Sequence, residues 1–267
     1  MSAVSPTRPA ETIDSATLLA DLEAGRLRAA EPDETSRDGW RVRPEVKAAI
    51  IALFSDRTTR DWTVGPFWFS DRAAVPPRDF AGGGPWRIVP GGTSVRSGAS
   101  LGDGVVIMPP SFVNVGAWIG DETMVDSHVL VGSCAQIGAR VHLAAGVTIG
   151  GVLEPPGGRP VIVEDDAFVG AGSCLLEGVL VRSGAVIGAG VSLTGTSRLY
   201  DLTREVVIQG TVDEPLVVPA GAVVVPGSRA LGGDFAASHG LGLATAVIVK
   251  QRDPGTAARV ALESALR

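Results

Sequence analysis

Every sixth residue from Leu101 onward is aliphatic: Leu101, Ile107, Val113, Ile119, Val125, Val131, Ile137, Leu143 and Ile149. Four residues later in each repeat stands a small or β-branched side chain, as at Val105, Ala117, Thr123, Ala135 and Val147. The period resumes at Val163 and runs through Val169, Leu175, Val181, Ile187, Leu193 and Leu199, making sixteen hexads. A six-residue period predicts a parallel β-helix, mainly β in class, in which each hexad is one short strand and a turn. Three hexads close one triangular coil, and the aliphatics stack along the axis of a prism. At ~4.8 Å between strands, about five coils give a prism roughly 25 Å long. The mean hydropathy of +0.26 therefore reflects a solenoid interior. No run approaches the ~18 uninterrupted apolar residues of a membrane span.

The stepping breaks between Ile149 and Val163, where the segment GGVLEPPGGRPVI carries Pro155, Pro156, Gly157, Gly158 and Pro160. Prolines lack the donor a central strand needs, so a loop insertion is expected near 150–162, and long insertions in solenoids lie on the binding face.

Outside the repeat, composition shifts near residue 86, which divides the chain into 1–85, 86–228 and 229–267. Residues 1–11 carry no pattern and are expected to be unstructured. Leu18, Leu19, Leu22 and Leu27 recur at helical spacing within 16–29, and Pro44 opens a second helix through VKAAIIALF, so a small α-helical N-terminal domain is expected. The connector from Asp61 to Pro85 is rich in Trp, Phe, Pro and Gly. Trp62, Phe67, Trp68 and Phe69 are read as core residues docked on the first coil, since no basic cluster accompanies them as it would in a nucleic-acid site. VVPAGAVVVPGS at 217–228 adds a coil, and AVIVK at 246–250 a final strand. Thr256 is placed to cap a C-terminal helix containing Ala261, Leu262 and Leu266, closing one end of the solenoid.

A net charge of −6 argues against a nucleic-acid or anionic-membrane partner. Cys134 and Cys174 show no metal spacing and are read as small, inward-facing core residues. No secretory leader is seen, and a cytoplasmic location is the expectation.

Two acids stand where the repeat needs none. Asp126 directly follows Val125 among apolar residues, and Glu177 follows Leu176. The histidines are His128, His142 and His239. His128 and His142 lack the close pairing of a zinc site, so no metal is expected; His142 is read as a turn residue and His128 as a minor candidate base. The GAG strings at 170–172 and 188–190 keep the hexad register and are not dinucleotide loops.

MVDSHVLVGSCAQIG at 124–138, VHLAAGVTIGGVLEP at 141–155 and VIVEDDAFVGAGSCLLEGVLV at 161–181 resemble the tetrahydrodipicolinate N-succinyltransferases. WRIVP at 86–90, SRLYD at 197–201 and VIVK at 247–250 extend the likeness from about Leu18 to the C-terminus. The resemblance implies a left-handed β-helix and a homotrimer with active sites between neighbouring solenoids. It implies succinyl transfer from succinyl-CoA to the nitrogen of the ring-opened L-2-amino-6-oxopimelate form of tetrahydrodipicolinate. It assigns Asp126 and Glu177 to acid/base work, and Arg87, with Asp126, Ser127 and Glu177, to the dicarboxylate. For the acyl donor it suggests Gly150, Gly151 and Ala171 along the pantetheine arm, with Lys250 and Arg252 at the phosphates. The chemistry agrees: an amine sheds a proton as it attacks a thioester, and a guanidinium fork suits a carboxylate. Two positions depart from the family pattern: Ser127-His128 stands where many members carry Thr-Trp, and Gly172 where they carry Arg. The second reading is a paralogue that acylates a related amino acid in a specialised, tabtoxin-like pathway, or an acetyl-CoA-dependent enzyme. From other classes, a zinc hydratase on the same fold and a silent scaffold are the competitors.

Overall fold

The computed structural model describes residues 14–155, 157–211 and 213–256. The hexads form two-residue strands stacked in three parallel faces. The first face runs from Arg87–Ile88 through Val106–Ile107, Met124–Val125, His142–Leu143 and Phe168–Val169 to Val186–Ile187. The second climbs from Ser94–Val95 through Phe112–Val113, Leu130–Val131, Thr148–Ile149 and Cys174–Leu175 to Ser192–Leu193. The third climbs from Ser100–Leu101 through Trp118–Ile119, Gln136–Ile137, Ile162–Val163 and Leu180–Val181 to Val217–Val218. Met124 thus lies between Val106 below and His142 above.

Alternation along a two-residue strand sends the second side chain inward and the first outward. The inward column is sealed: Ile107, Val125, Ile137, Leu143, Ile149 and Leu175 have no exposed surface. Each such burial contributes about 1.5–3 kcal/mol. Where a polar residue takes the small corner position, its hydroxyl is satisfied: Thr123 donates to the Gly138 carbonyl at 2.8 Å and accepts from the Val141 N–H at 3.0 Å.

The N-terminal elements wrap one side of this prism. Helix α1 (Ser15–Glu23) is capped by Asp14, and α2 (Pro44–Leu53) starts on a proline whose missing donor costs nothing at that position. Their apolar residues Leu18, Leu22, Val46, Ile50 and Leu53 pack against Val115 and Cys134 at the corner between the second and third faces. Strands β1 (Ala30–Pro32) and β2 (Trp40–Val42) form a short antiparallel pair, which the repeat-centred reading did not foresee. Ala30 and Trp40 cover Ile162 and Leu180 on the third face.

Glu164 ties this cover to the prism. It accepts from Trp40 Nε1 at 2.9 Å, Arg182 Nη1 at 2.7 Å and the Ser183 N–H at 3.0 Å. Burial alone would raise its pKa, but these donors outweigh burial and hold the carboxyl below its usual range. A depressed folded pKa means stability that is present above the unfolded value and lost as pH falls through the folded one. Glu164→Gln is therefore expected to cost about 1–3 kcal/mol at pH 7. In denaturant titrations the gap between variant and wild type should close in acid; a gap independent of pH would contradict the assignment.

Three expectations are corrected. The segment holding Trp62, Phe67, Trp68 and Phe69 is an antiparallel hairpin, β3 (Thr59–Val64) and β4 (Phe67–Arg72), with Phe67, Trp68 and Phe69 exposed rather than docked as core. A two-stranded ribbon offers no second layer to bury its side chains. Neither cysteine faces the prism interior: Cys134 is buried under α1 and α2, and Cys174 is the outward, half-buried residue of its strand. His142 lies on a strand of the first face, not in a turn.

The C-terminal region extends the first face. Ala222–Ala230 joins Val186–Ile187 in parallel and pairs antiparallel with Gly242–Gln251, which contains the expected 246–250 strand. At its end Asp253, not Thr256, is the acceptor, taking the Thr256 N–H at 2.7 Å. Ala261, Leu262 and Leu266, and residues 1–11, lie outside the described residues. No helix among the described residues is long and apolar enough to cross a membrane.

Candidate active site

The two expected acids, Asp126 and Glu177, fall on two different edges of the prism. Asp126 and Ser127 occupy the corner between the first and second faces. The Asp126 carboxylate is half-buried, with Oδ1 accepting from the Ser127 N–H at 2.7 Å and Oδ2 lying 3.9 Å from His142 Nε2. His142 stands one coil above, its ring edge-on to Phe168 at 5.1 Å. Arg87 sits in the outward column of the first face, two strands below Met124, so it lies on the same side as Asp126.

Glu177 lies across the second face, at the corner between the second and third. Both Glu177 and Gly178 are left-handed, with φ of 53° and 73°. Its Oε2 accepts from the Gly195 N–H of the next coil at 3.2 Å. Gly150, Gly151, Glu154, Arg159, Glu177 and Gly195 line a cleft of about 710 Å³. Its outer wall is the loop between Ile149 and Ile162, whose described residues form no strand, in keeping with its prolines. Coils approach here too closely for side chains: a Cβ at Gly132 would lie 2.1 Å from the Gly151 nitrogen. The cations of this wall are engaged, Arg159 with Asp38, and Lys47, on α2, with the Pro155 and Gly158 carbonyls.

One chain does not bring these halves together. Glu177 is separated from Asp126 by a whole side of the triangle, roughly 15–20 Å at ~3.3 Å per residue, and by two coils, roughly 10 Å more along the axis. The donor-binding candidates are split as well. Gly150 and Gly151 flank Glu177, but Ala171 is on the Asp126 edge. Lys250 is held by the Asp253 carboxylate at 2.5 Å, and Arg252 donates to the Asp166 and Gly184 carbonyls at the third corner, at 2.8 and 3.2 Å. The reason is geometric: each hexad turns the chain onto a new face, so sequence neighbours diverge and residues near a multiple of eighteen apart converge. That rule would have found His142 beside Asp126, sixteen residues earlier.

Cys134, buried under α1 and α2, is not placed to carry an acyl group beside these acids. Burial pushes the Cys134 thiol up to about 12, so it stays protonated under α2. Among the described residues no three His, Cys, Asp or Glu side chains are grouped to hold a metal ion.

This geometry defines a hexapeptide-repeat transferase. Residues 116–151 match the model "Bacterial transferase hexapeptide (six repeats)", and residues 160–195 match "Hexapeptide repeat of succinyl-transferase". The fold is accordingly the left-handed parallel β-helix. The chain is 40% identical over 258 residues to the 2,3,4,5-tetrahydropyridine-2,6-dicarboxylate N-succinyltransferase of Polynucleobacter asymbioticus, covering 94% of this chain and 87% of that protein. The Idiomarina loihiensis protein of the same name is 41% identical, with 92% and 86% covered. That of Dechloromonas aromatica is 37% identical, with 99% and 93% covered. The chain belongs to the tetrahydropyridine-dicarboxylate N-succinyltransferase family.

Proposed function

We propose that the protein transfers the succinyl group of succinyl-CoA to the amino nitrogen of ring-opened 2,3,4,5-tetrahydropyridine-2,6-dicarboxylate, a step of diaminopimelate formation in the cytoplasm. Identity near 40% across more than nine-tenths of the chain carries this reading. The acyl donor is a co-substrate, and no step is assigned to a metal.

Water first adds to the cyclic imine and opens it to the amino-oxo diacid. The freed amine attacks the thioester carbonyl; the N–C bond forms, the C–S bond breaks, and CoA leaves as the thiol after taking a proton. A carboxylate must accept the proton the nitrogen loses. Asp126 and Glu177 are the groups proposed for this work, Asp126 with the His142 ring behind it and Glu177 held by the Gly195 N–H. Arg87, on the Asp126 side, is proposed to take a carboxylate of the acceptor, with Ser127 beside it. Gly150 and Gly151 present bare backbone at the cleft, where a pantetheine arm can lie against the strand edge. Because the two acids occupy opposite edges of one face, the complete site is proposed to form between copies in a homotrimer, the Asp126 edge of one against the Glu177 edge of the next.

Thiol release is the direct test, with succinyl-CoA or acetyl-CoA paired with tetrahydrodipicolinate or L-2-aminopimelate. Release with succinyl-CoA and either acceptor is the expected result. Silence with both acceptors while CoA still binds would turn the reading toward a paralogue acting on another amino acid.

A further inference from the structure

Above the Glu177 corner the chain leaves Gly195 and runs directly into a second, smaller groove. It has a volume of about 270 Å³ and is lined by Ser192, Thr196, Arg198, Gln209, Arg229 and Thr245, among others. Two arginines from different strands, Arg198 and Arg229, line this space, and no acidic residue does. Arg198 begins the strand Arg198–Asp201, and Arg229 lies near the end of Ala222–Ala230, with Gly242–Gln251 between them in the sheet. Thr245 on that middle strand fixes the spacing by donating its hydroxyl to the Arg198 carbonyl at 2.8 Å.

Acids outnumber bases, 29 to 23, and many arginines find carboxylates, among them Arg26, Arg41, Arg43, Arg96, Arg140, Arg159 and Arg182. Among the described residues neither Arg198 nor Arg229 enters an ion pair. Two like charges held over one polar groove repel unless an anion joins them, and paired guanidinium forks with hydroxyl donors around them match phosphate oxygens.

The position sets the ligand. Arg198 is three residues beyond Gly195, whose N–H holds the Glu177 carboxylate, so along the strand it lies within roughly 10 Å of that corner at ~3.3 Å per residue. Between the thioester and the diphosphate of an acyl-CoA stands the extended pantetheine arm, which spans at least this interval. We propose that Arg198 and Arg229 form an anion site that grips a phosphate group of the acyl-CoA donor, in place of Lys250 and Arg252, which contact the Asp253 carboxylate and the Asp166 and Gly184 carbonyls. The assignment rests on the acyl-CoA reading for the identity of its ligand, but the anion site itself does not.

The test uses Arg198→Gln, Arg229→Gln and the double variant, each checked for unchanged circular dichroism and oligomeric state. Calorimetric titration with pyrophosphate comes first. Binding by wild type that the double variant loses supports the site whatever the donor is; no binding by wild type, or equal binding by both, overturns it. Coenzyme A, dephospho-CoA and pantetheine follow. Each single variant is expected to weaken CoA by ~10- to 100-fold, the range for a charge-assisted hydrogen-bonding pair, and pantetheine by far less. A dephospho-CoA affinity that falls with CoA places the diphosphate in the groove, whereas one insensitive to the substitutions places the ribose phosphate there. Equal losses for CoA and pantetheine would overturn phosphate recognition. A wild-type protein that binds pyrophosphate but no form of CoA would defeat the acyl-CoA reading and leave the anion site standing.

Discussion

Mixed trimers of an Asp126→Asn chain and a Glu177→Gln chain should recover activity that neither variant shows alone. Each substitution is isosteric and removes the proton-accepting carboxylate, so each homogeneous variant is expected to lose ~10²- to 10⁴-fold in turnover. Within one chain the two acids stand on different corners and different coils, too far apart to serve one substrate. If a site takes Asp126 from one copy and Glu177 from the next, random reassembly of equal amounts leaves about a quarter of the interfaces with both carboxylates intact. Co-refolding or co-expression followed by the thiol-release assay reads the outcome. Recovery toward a quarter of wild-type turnover is expected; activity that stays at the level of the single variants would sink the intersubunit site.

The second large effect is expected at Lys47. Its side chain has no exposed surface and, among the described residues, no carboxylate partner; its ammonium donates to the Pro155 carbonyl at 3.2 Å and to that of Gly158. Burial pushes its pKa below the usual lysine range, so the cation is held at a cost that the loop carbonyls offset. The contact ties α2 to the wall of the Glu177 cleft. Lys47→Ala removes a packed four-carbon stem along with the charge and should cost about 2–5 kcal/mol, as core truncations of similar size do. Lys47→Met keeps the stem and removes only the donor, which separates packing from tethering. The methionine variant is expected to unfold within ~1.5 kcal/mol of wild type. Its backbone amides at 151–154 and 157–159 should nevertheless exchange faster, and KM should rise with kcat little changed. Unchanged exchange in that segment would show that the lysine only fills space.

How much of this was legible in the chain depends on which distance scale a feature belongs to. Leu143 and Ile149 are inward because of a six-residue period that any window of the repeat displays, and the loop after Ile149 was announced by Pro155 and Pro160, which no central strand tolerates. The outward position of Cys174 was also written in the register, one residue before Leu175. Reading it as core followed its residue type instead of its place in the hexad. Asp126 and Glu177 were visible as acids in a repeat that needs none, and the family likeness gave them roles.

Their separation was not visible, because it depends on the coil of eighteen residues and on the insertion that lengthens one coil. Nor could the chain alone say that Lys250 and Arg252 contact Asp253 and backbone carbonyls, while Arg198 and Arg229 line one groove. Partners of long, flexible cations are settled only when distant strands come into register. The hairpin of Phe67, Trp68 and Phe69 has the same explanation: its side chains have the composition of a core, but burial requires a second layer, and only the packed molecule decides whether one is there. The sequence by itself determined the prism, its inward column and its loop, since local periodicity fixes which way each side chain points. The tertiary structure decided which outward residues share an edge, because that is a property of coils stacked far apart in the chain.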